Sequence, residues 1–129
     1  MAIYRCLSPL LDLHIELVNK DVEKLLAENG HHSLCILTAY NPESGVRSKA
    51  DNQQSQDQLV SEIERQGFYW LEGVNLDVDE IFPDESTCWV MGMTSAEGYQ
   101  VSKQWAQNAF VFYRIGEKPE LIWVKSKVK

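Results

Sequence analysis

Side chains that hydrogen-bond without charge recur in this sequence where chains usually turn. They are Thr38, Tyr40 and Asn41, then Asn52, then Ser86 beside Glu85, then Gln107 and Asn108. Amides and hydroxyls offer donors and acceptors together, and Glu85 adds one carboxylate. Such a set suits the edge of a nucleobase or a ribose, with Tyr40 or Trp105 available to stack on a ring. Arg47 and Lys49 lie in the polar stretch after Tyr40 and could close over phosphates. The ligand this chemistry suggests is small and nucleotide-like. An architectural reading competes with it: Asn41 before Pro42 builds a turn, Glu85-Ser86 satisfies amides where a strand begins, and Gln107-Asn108 caps a helix.

Two further readings belong to other classes. An enzyme could use Glu85 as a general base with the amides holding substrate, but no nucleophile or acid partner accompanies it. An acidic inhibitor or interaction protein fits the size, the charge and the missing catalytic set. Gly-x-Ser-x-Gly, a phosphate-binding glycine loop and HExxH are all absent from the sequence. His31-His32 are adjacent and so poorly placed to share one metal ion. Asn75, Asp77, Asp79 and Glu80 resemble a calcium loop, but Glu80 stands where the sixth-position glycine belongs. Cys35 falls mid-strand, where a buried thiol is inert. No metal and no cofactor is expected.

The elements that must position these groups follow from periodicity. Leu34-Cys-Ile-Leu37 is an unbroken apolar run ahead of Thr-Ala-Tyr-Asn-Pro, which predicts a central strand over 34–39 buried on both faces. Residues 1–9 read as an irregular or short extended arm. Leu11, Leu13, Ile15 and Leu17 alternate with polar residues and predict a half-buried strand near an edge. Asn19 caps a helix over 20–29 that Gly30 stops. A long polar loop over 40–50 leads to a helix from Asp51 or Asn52 to Gln66, closed by Gly67, whose first two turns are almost wholly amide and hydroxyl. Then come a strand over 68–74, an acidic loop over 75–84 and a strand over 86–91. A helix from Thr94 or Ser95 to Ala106, weakened at Gly98, precedes strands over 109–114 and 121–124. Trp70, Trp89 and Trp123 read as core or sheet-face residues.

This order, β-α-β-α-β-β-α-β-β, predicts an α+β fold. The sheet is mixed but mostly antiparallel, with helices packed on it and a ferredoxin-like split β-α-β core over 34–114. Strand directions then make the functional expectation sharper. Strand 34–39 ends at the sheet end where strands 86–91 and 109–114 begin, so Thr38, Asn41, Asn52, Glu85-Ser86 and Gln107-Asn108 should converge.

The 129 residues suit one domain, and the net charge of −7 argues against a nucleic-acid polymer or an anionic membrane as partner. The expected partner is a small molecule or a protein. Cys6, Cys35 and Cys88 are odd in number and widely spaced, which predicts reduced thiols rather than a disulfide framework. With no leader-like or membrane-spanning apolar run, a soluble, cytoplasmic protein is expected.

Four boxes carry a family resemblance. Leu-Thr-Ala-Tyr-Asn-Pro at 37–42, Asn52, Asp84-Glu85-Ser86 and Trp105-Ala-Gln-Asn-Ala109 occur in order. They resemble the bacterial family of domain of unknown function 3293, whose members show Thr-Ala-Trp-Asn-Pro, a following Asn, an acidic-Ser pair and Phe-Gly-Gln-Asn-Ala. Tyr40 stands for the Trp, and Trp105-Ala106 for the Phe-Gly. The resemblance spans roughly residues 33–124, leaving residues 1–32 as an N-terminal strand-helix extension, and implies a shared site without supplying its chemistry.

Overall fold

The structure, a computed structural model, describes residues 2–42, 45–80 and 83–124. The elements in chain order are β1 (Ala2–Cys6), β2 (Leu11–Leu13), α1 (Lys20–Glu28), β3 (Ser33–Leu37), α2 (Lys49–Arg65), β4 (Tyr69–Asp77), β5 (Glu85–Met91), α3 (Ser95–Gln104), β6 (Ala109–Arg114) and β7 (Glu120–Trp123). Among the described residues they build one seven-stranded sheet in the order β2-β1-β4-β5-β3-β6-β7, with every neighbouring pair antiparallel. The inner four, β4-β5-β3-β6, have the split β-α-β arrangement that the element order predicts. Helices α2 and α3 are its two crossovers.

All three helices start on a side-chain cap and stop in the same way. Asn19, Ser48 and Thr94 accept the backbone N–H groups of Val22, Asp51 and Glu97, and Thr94 with Glu97 completes a capping box. After α1, Gly30 (φ 76°) donates to Ala27 and His31 to Leu26. After α2, Gly67 (φ 84°) donates to Glu64 and Phe68 to Ile63. These are Schellman stops, in which glycine takes a left-handed conformation without strain. The stop after α3 has the same bonds, Ala106 to Lys103 and Gln107 to Ser102, but Ala106 supplies the left-handed residue at φ 56°.

Each face of the sheet carries its own core. Alternate residues Cys35, Leu37, Cys88, Val90, Phe110 and Phe112 pack against Leu59 and Ile63 of α2 and Val101 of α3. Gly98 lets α3 come this close: a Cβ there would lie 2.6 Å from Cys35 Sγ and 2.7 Å from Phe110 Cε2. On the other face Leu34, Ile36, Trp89, Met91, Val111 and Tyr113 pack against Val22 and Leu26 of α1 and Leu13 of β2. Tyr113 donates to the buried Glu23 carboxylate at 2.6 Å and accepts the Asn19 N–H at 2.8 Å, which ties the start of α1 to β6. Helix α1 therefore covers the end of this face where β3 begins and β5 and β6 finish.

The structure changes several expected boundaries, among them the end of β3 at Leu37 and of α3 at Gln104. The arm at the N-terminus is a strand, β1, registered along β4 from Ala2 opposite Asp77 to Cys6 opposite Gly73. The edge strand is three residues long, because Glu16 turns the chain at φ 70° and leaves Leu17 61% exposed. Helix α2 begins at Lys49 behind Ser48, so Asn52 lies inside its first turns and does not open it. Strand β4 runs on to Asp77, taking Asn75 out of the expected acidic loop. No helix among the described residues is long and apolar enough to cross a membrane.

Candidate functional site

The predicted groups do meet at one end of the sheet, in two layers. The first layer lies at the exit of β3 on the side of α2. Asn41 takes a left-handed conformation (φ 46°), which asparagine tolerates better than most residues. Its backbone N–H donates to Asn52 Oδ1 at 2.8 Å, and Asn52 Nδ2 returns a bond to Asn41 Oδ1 at 2.8 Å. Gln56 Oε1 accepts the Ala39 N–H at 2.9 Å. Asn52 and Gln56 are each only 4% exposed, so the polar start of α2 faces the strand exit and satisfies its backbone. Thr38 Oγ1 accepts the Tyr40 N–H and donates to the Ser86 carbonyl, while Gln107 Nε2 donates to the Tyr40 carbonyl at 3.0 Å. Tyr40 is itself buried, with its hydroxyl reaching Gln53 and receiving the Ser86 hydroxyl.

The second layer opens on the opposite face, at the end that α1 does not cover. A cavity of about 230 Å³ lies there, with Glu85, Thr87, Thr38 and Asn75 as polar wall and Gln107-Asn108 at one side. Ile36, Val111 and Leu121 supply apolar surface, and Trp123, 69% exposed, stands beside them. Tyr4 of β1 closes the far wall. The sheet register accounts for the grouping: Tyr4 pairs with Asn75 across β1–β4, and Asn75 with Glu85 across β4–β5, so all three project from one face. Thr87 lies two residues along β5 on that same face. Asn41 joins the layers, its Nδ2 donating to Glu85 Oε2 at 3.0 Å.

Burial sets the electrostatics. It pushes the Glu85 carboxyl above the usual carboxylate range, and the bond from Asn41 holds back part of that rise. Burial and then the nearby Glu85 charge raise the Tyr4 phenol. Three buried side-chain atoms have no hydrogen-bond partner among the described residues: Asn75 Oδ1, Thr87 Oγ1 and Trp89 Nε1. All three side chains belong to this face. Gly73 makes room for two of them, since a Cβ there would lie 2.8 Å from both Thr87 Oγ1 and Trp89 Cδ1.

Of the nine residues expected in the site, Thr38, Glu85, Gln107 and Asn108 line the cavity. Tyr40, Asn41, Asn52 and Ser86 form the supporting network behind it. Arg47 joins that network through its backbone, its N–H donating to Asn41 Oδ1 at 3.0 Å, while its guanidinium turns away to Ser55 Oγ and the Asp51 carbonyl along α2. Lys49, the first residue of α2, is exposed. Trp105 does not reach the cavity; it borders a larger hollow of about 400 Å³ on the outer side of α2, where Gln54, Asp57 and Arg65 are exposed. The aromatic residues that line the cavity are Tyr4, Phe110 and Trp123. Tyr4, Asn75 and Thr87 were not foreseen. The signal for Asn75 was available, because Val74 and Leu76 continue the alternation of β4 past Gly73.

The remaining candidates resolve simply. Among the described residues no three His, Cys, Asp or Glu groups gather as metal ligands. Asp79 donates its backbone N–H to Asp77 Oδ1, a local turn in the acidic stretch. The three cysteines are free and buried; burial raises the Cys35 thiol strongly and pushes Cys88 up to about 12, so both are protonated at neutral pH.

Comparison with curated proteins gives no match, and neither does comparison with solved structures. The family comparison does match, over residues 37–110, a span that holds every box from Leu37 to Ala109. More than half of the chain fits the family described as protein of unknown function (DUF3293), and the chain belongs to that family.

Proposed function

We propose that the chain is a binding domain whose cavity at Glu85 and Thr87 takes a small planar hydrogen-bonding molecule of the nucleobase or nucleoside type. The observation that carries this reading is Thr87. Thr87 is 2% exposed, it lines the cavity, and its hydroxyl has no partner among the described residues. An unpaired buried polar group costs about 1–3 kcal/mol, so a fold that keeps one at a cavity wall gains from a molecule that pairs it. About 230 Å³ lies below the roughly 300–1,000 Å³ of drug-sized sites, room for one ring system and a small substituent. Among the described residues no Lys or Arg lines the cavity, so no described cation is there to hold the phosphates of a nucleotide.

Thermal melting against a panel of nucleobases, nucleosides and nucleotides tests this, on wild type and Thr87→Val together. A ligand should raise the wild-type midpoint and shift the variant less. A folded wild type that responds to none of them would overturn the reading in favour of a protein partner. One observation favours a second reading: a carboxyl raised by burial beside a phenol is how general bases are tuned. If Glu85 acts so, incubation with a bound ligand yields a new mass; a ligand recovered unchanged counts against catalysis.

A further inference from the structure

Part of the hydrogen-bond donor capacity around the cavity is already spent inside the protein. Asn41 Nδ2 goes to Glu85, Gln107 Nε2 to the Tyr40 carbonyl, and the Thr38 hydroxyl to the Ser86 carbonyl. The Glu85 carboxylate remains. A carboxylate accepts at about four positions, and Asn41 occupies one. Among the described residues no cationic side chain lines the cavity, and Arg5, on neighbouring β1, is held by Asp12 through bonds of 2.7 and 2.9 Å. An anionic ligand would meet Glu85 uncompensated. A ligand bringing two parallel N–H groups would meet a carboxylate already oriented by Asn41, with the unpartnered Thr87 hydroxyl one pleat further along β5.

Resting on the binding-domain reading above, we propose that the cavity selects molecules with an amidine-type pair of N–H donors, such as the N1–H and 2-amino edge of guanine, and seats that pair on the Glu85 carboxylate. Thr87 pairs with the next polar atom of the ring, its hydroxyl serving as donor or acceptor. The ring lies over Ile36 and Val111 and against Trp123.

Calorimetric titration of the intact protein with guanosine, inosine, adenosine and benzamidine tests this. Inosine keeps the guanosine ring but lacks the 2-amino group, and benzamidine carries the donor pair on a plain ring. Guanosine should bind about tenfold or more tighter than inosine, and benzamidine should bind measurably. Glu85→Gln, checked for native circular dichroism, should erase the preference for guanosine over inosine, because guanosine loses the partner of its 2-amino group as well as the charged acceptor of N1–H. Thr87→Val should weaken both nucleosides. Inosine or adenosine binding as tightly as guanosine, with Thr87→Val still weakening them, would overturn the donor-pair selection and leave the binding reading intact. Binding of guanosine that neither variant alters would place the site elsewhere and overturn the proposal, and no binding of any probe would overturn both.

Discussion

Asn52 offers the sharpest test of how the site is supported. It is buried within α2, yet it exchanges two hydrogen bonds of 2.8 Å with Asn41, one of them to a backbone N–H at the exit of β3. Asn52→Ala removes both. Two net hydrogen bonds are worth about 1 kcal/mol each, and the Asn41 N–H left behind adds about 1 kcal/mol or more. Alanine regains about 0.5 kcal/mol in helix propensity. The sum is a loss of about 2–3 kcal/mol. For a chain of 129 residues this lowers the melting midpoint by about 7–11 °C. Urea unfolding followed by circular dichroism gives the free energy directly, with Gln54→Ala as an exposed control on the same helix expected within about 0.5 kcal/mol of wild type. An Asn52→Ala protein as stable as that control would refute the argument, because the turn at Asn41 would then be held by something other than the amide pair.

Two further predictions follow from single residues. Ala106→Gly should stabilise the protein by about 0.5–1 kcal/mol, because relief of about 1–2 kcal/mol at φ 56° outweighs the added freedom of glycine in the unfolded chain; a lower urea midpoint would show that the left-handed stop after α3 is unstrained. Glu85 has a folded-state pKa raised above its unfolded value, so it lowers stability as pH climbs through that window and has no such effect below the unfolded pKa. Glu85→Gln should therefore melt higher than wild type at pH 8 and lose that advantage near pH 4, and an advantage that persists at pH 4 would mean burial of the charge is not its cause.

Much of this arrangement was legible in the sequence, for identifiable reasons. The run Leu34–Leu37 could only be a strand covered on both sides, and its direction relative to β5 and β6 followed from the crossover helices. Convergence of Asn41, Asn52, Glu85 and Gln107 was a consequence of those directions. What the sequence could not separate were two uses of the same chemistry. An amide that serves a strand exit, as Asn52 and Gln56 do, looks like one that serves a ligand. The cavity wall was hidden for a different reason. Tyr4 sits in a short mixed segment with no clean period, and its pairing with Asn75 spans most of the chain. Strand β1 is held by that partnership with β4, which local pattern does not record.

The central claim is that the cavity on the open face, and not the hollow outside α2, is where a small molecule binds. The tryptophan indole N–H resonances report on this directly, because the side chains are spread over the two faces. Trp123 lines the cavity, Trp105 borders the outer hollow, and Trp70 is bonded to Glu64 beside α2. Titrating guanosine into 15N-labelled protein should move the Trp123 indole signal and leave Trp70 and Trp105 in place. Movement of Trp105 with Trp123 unchanged would contradict the account.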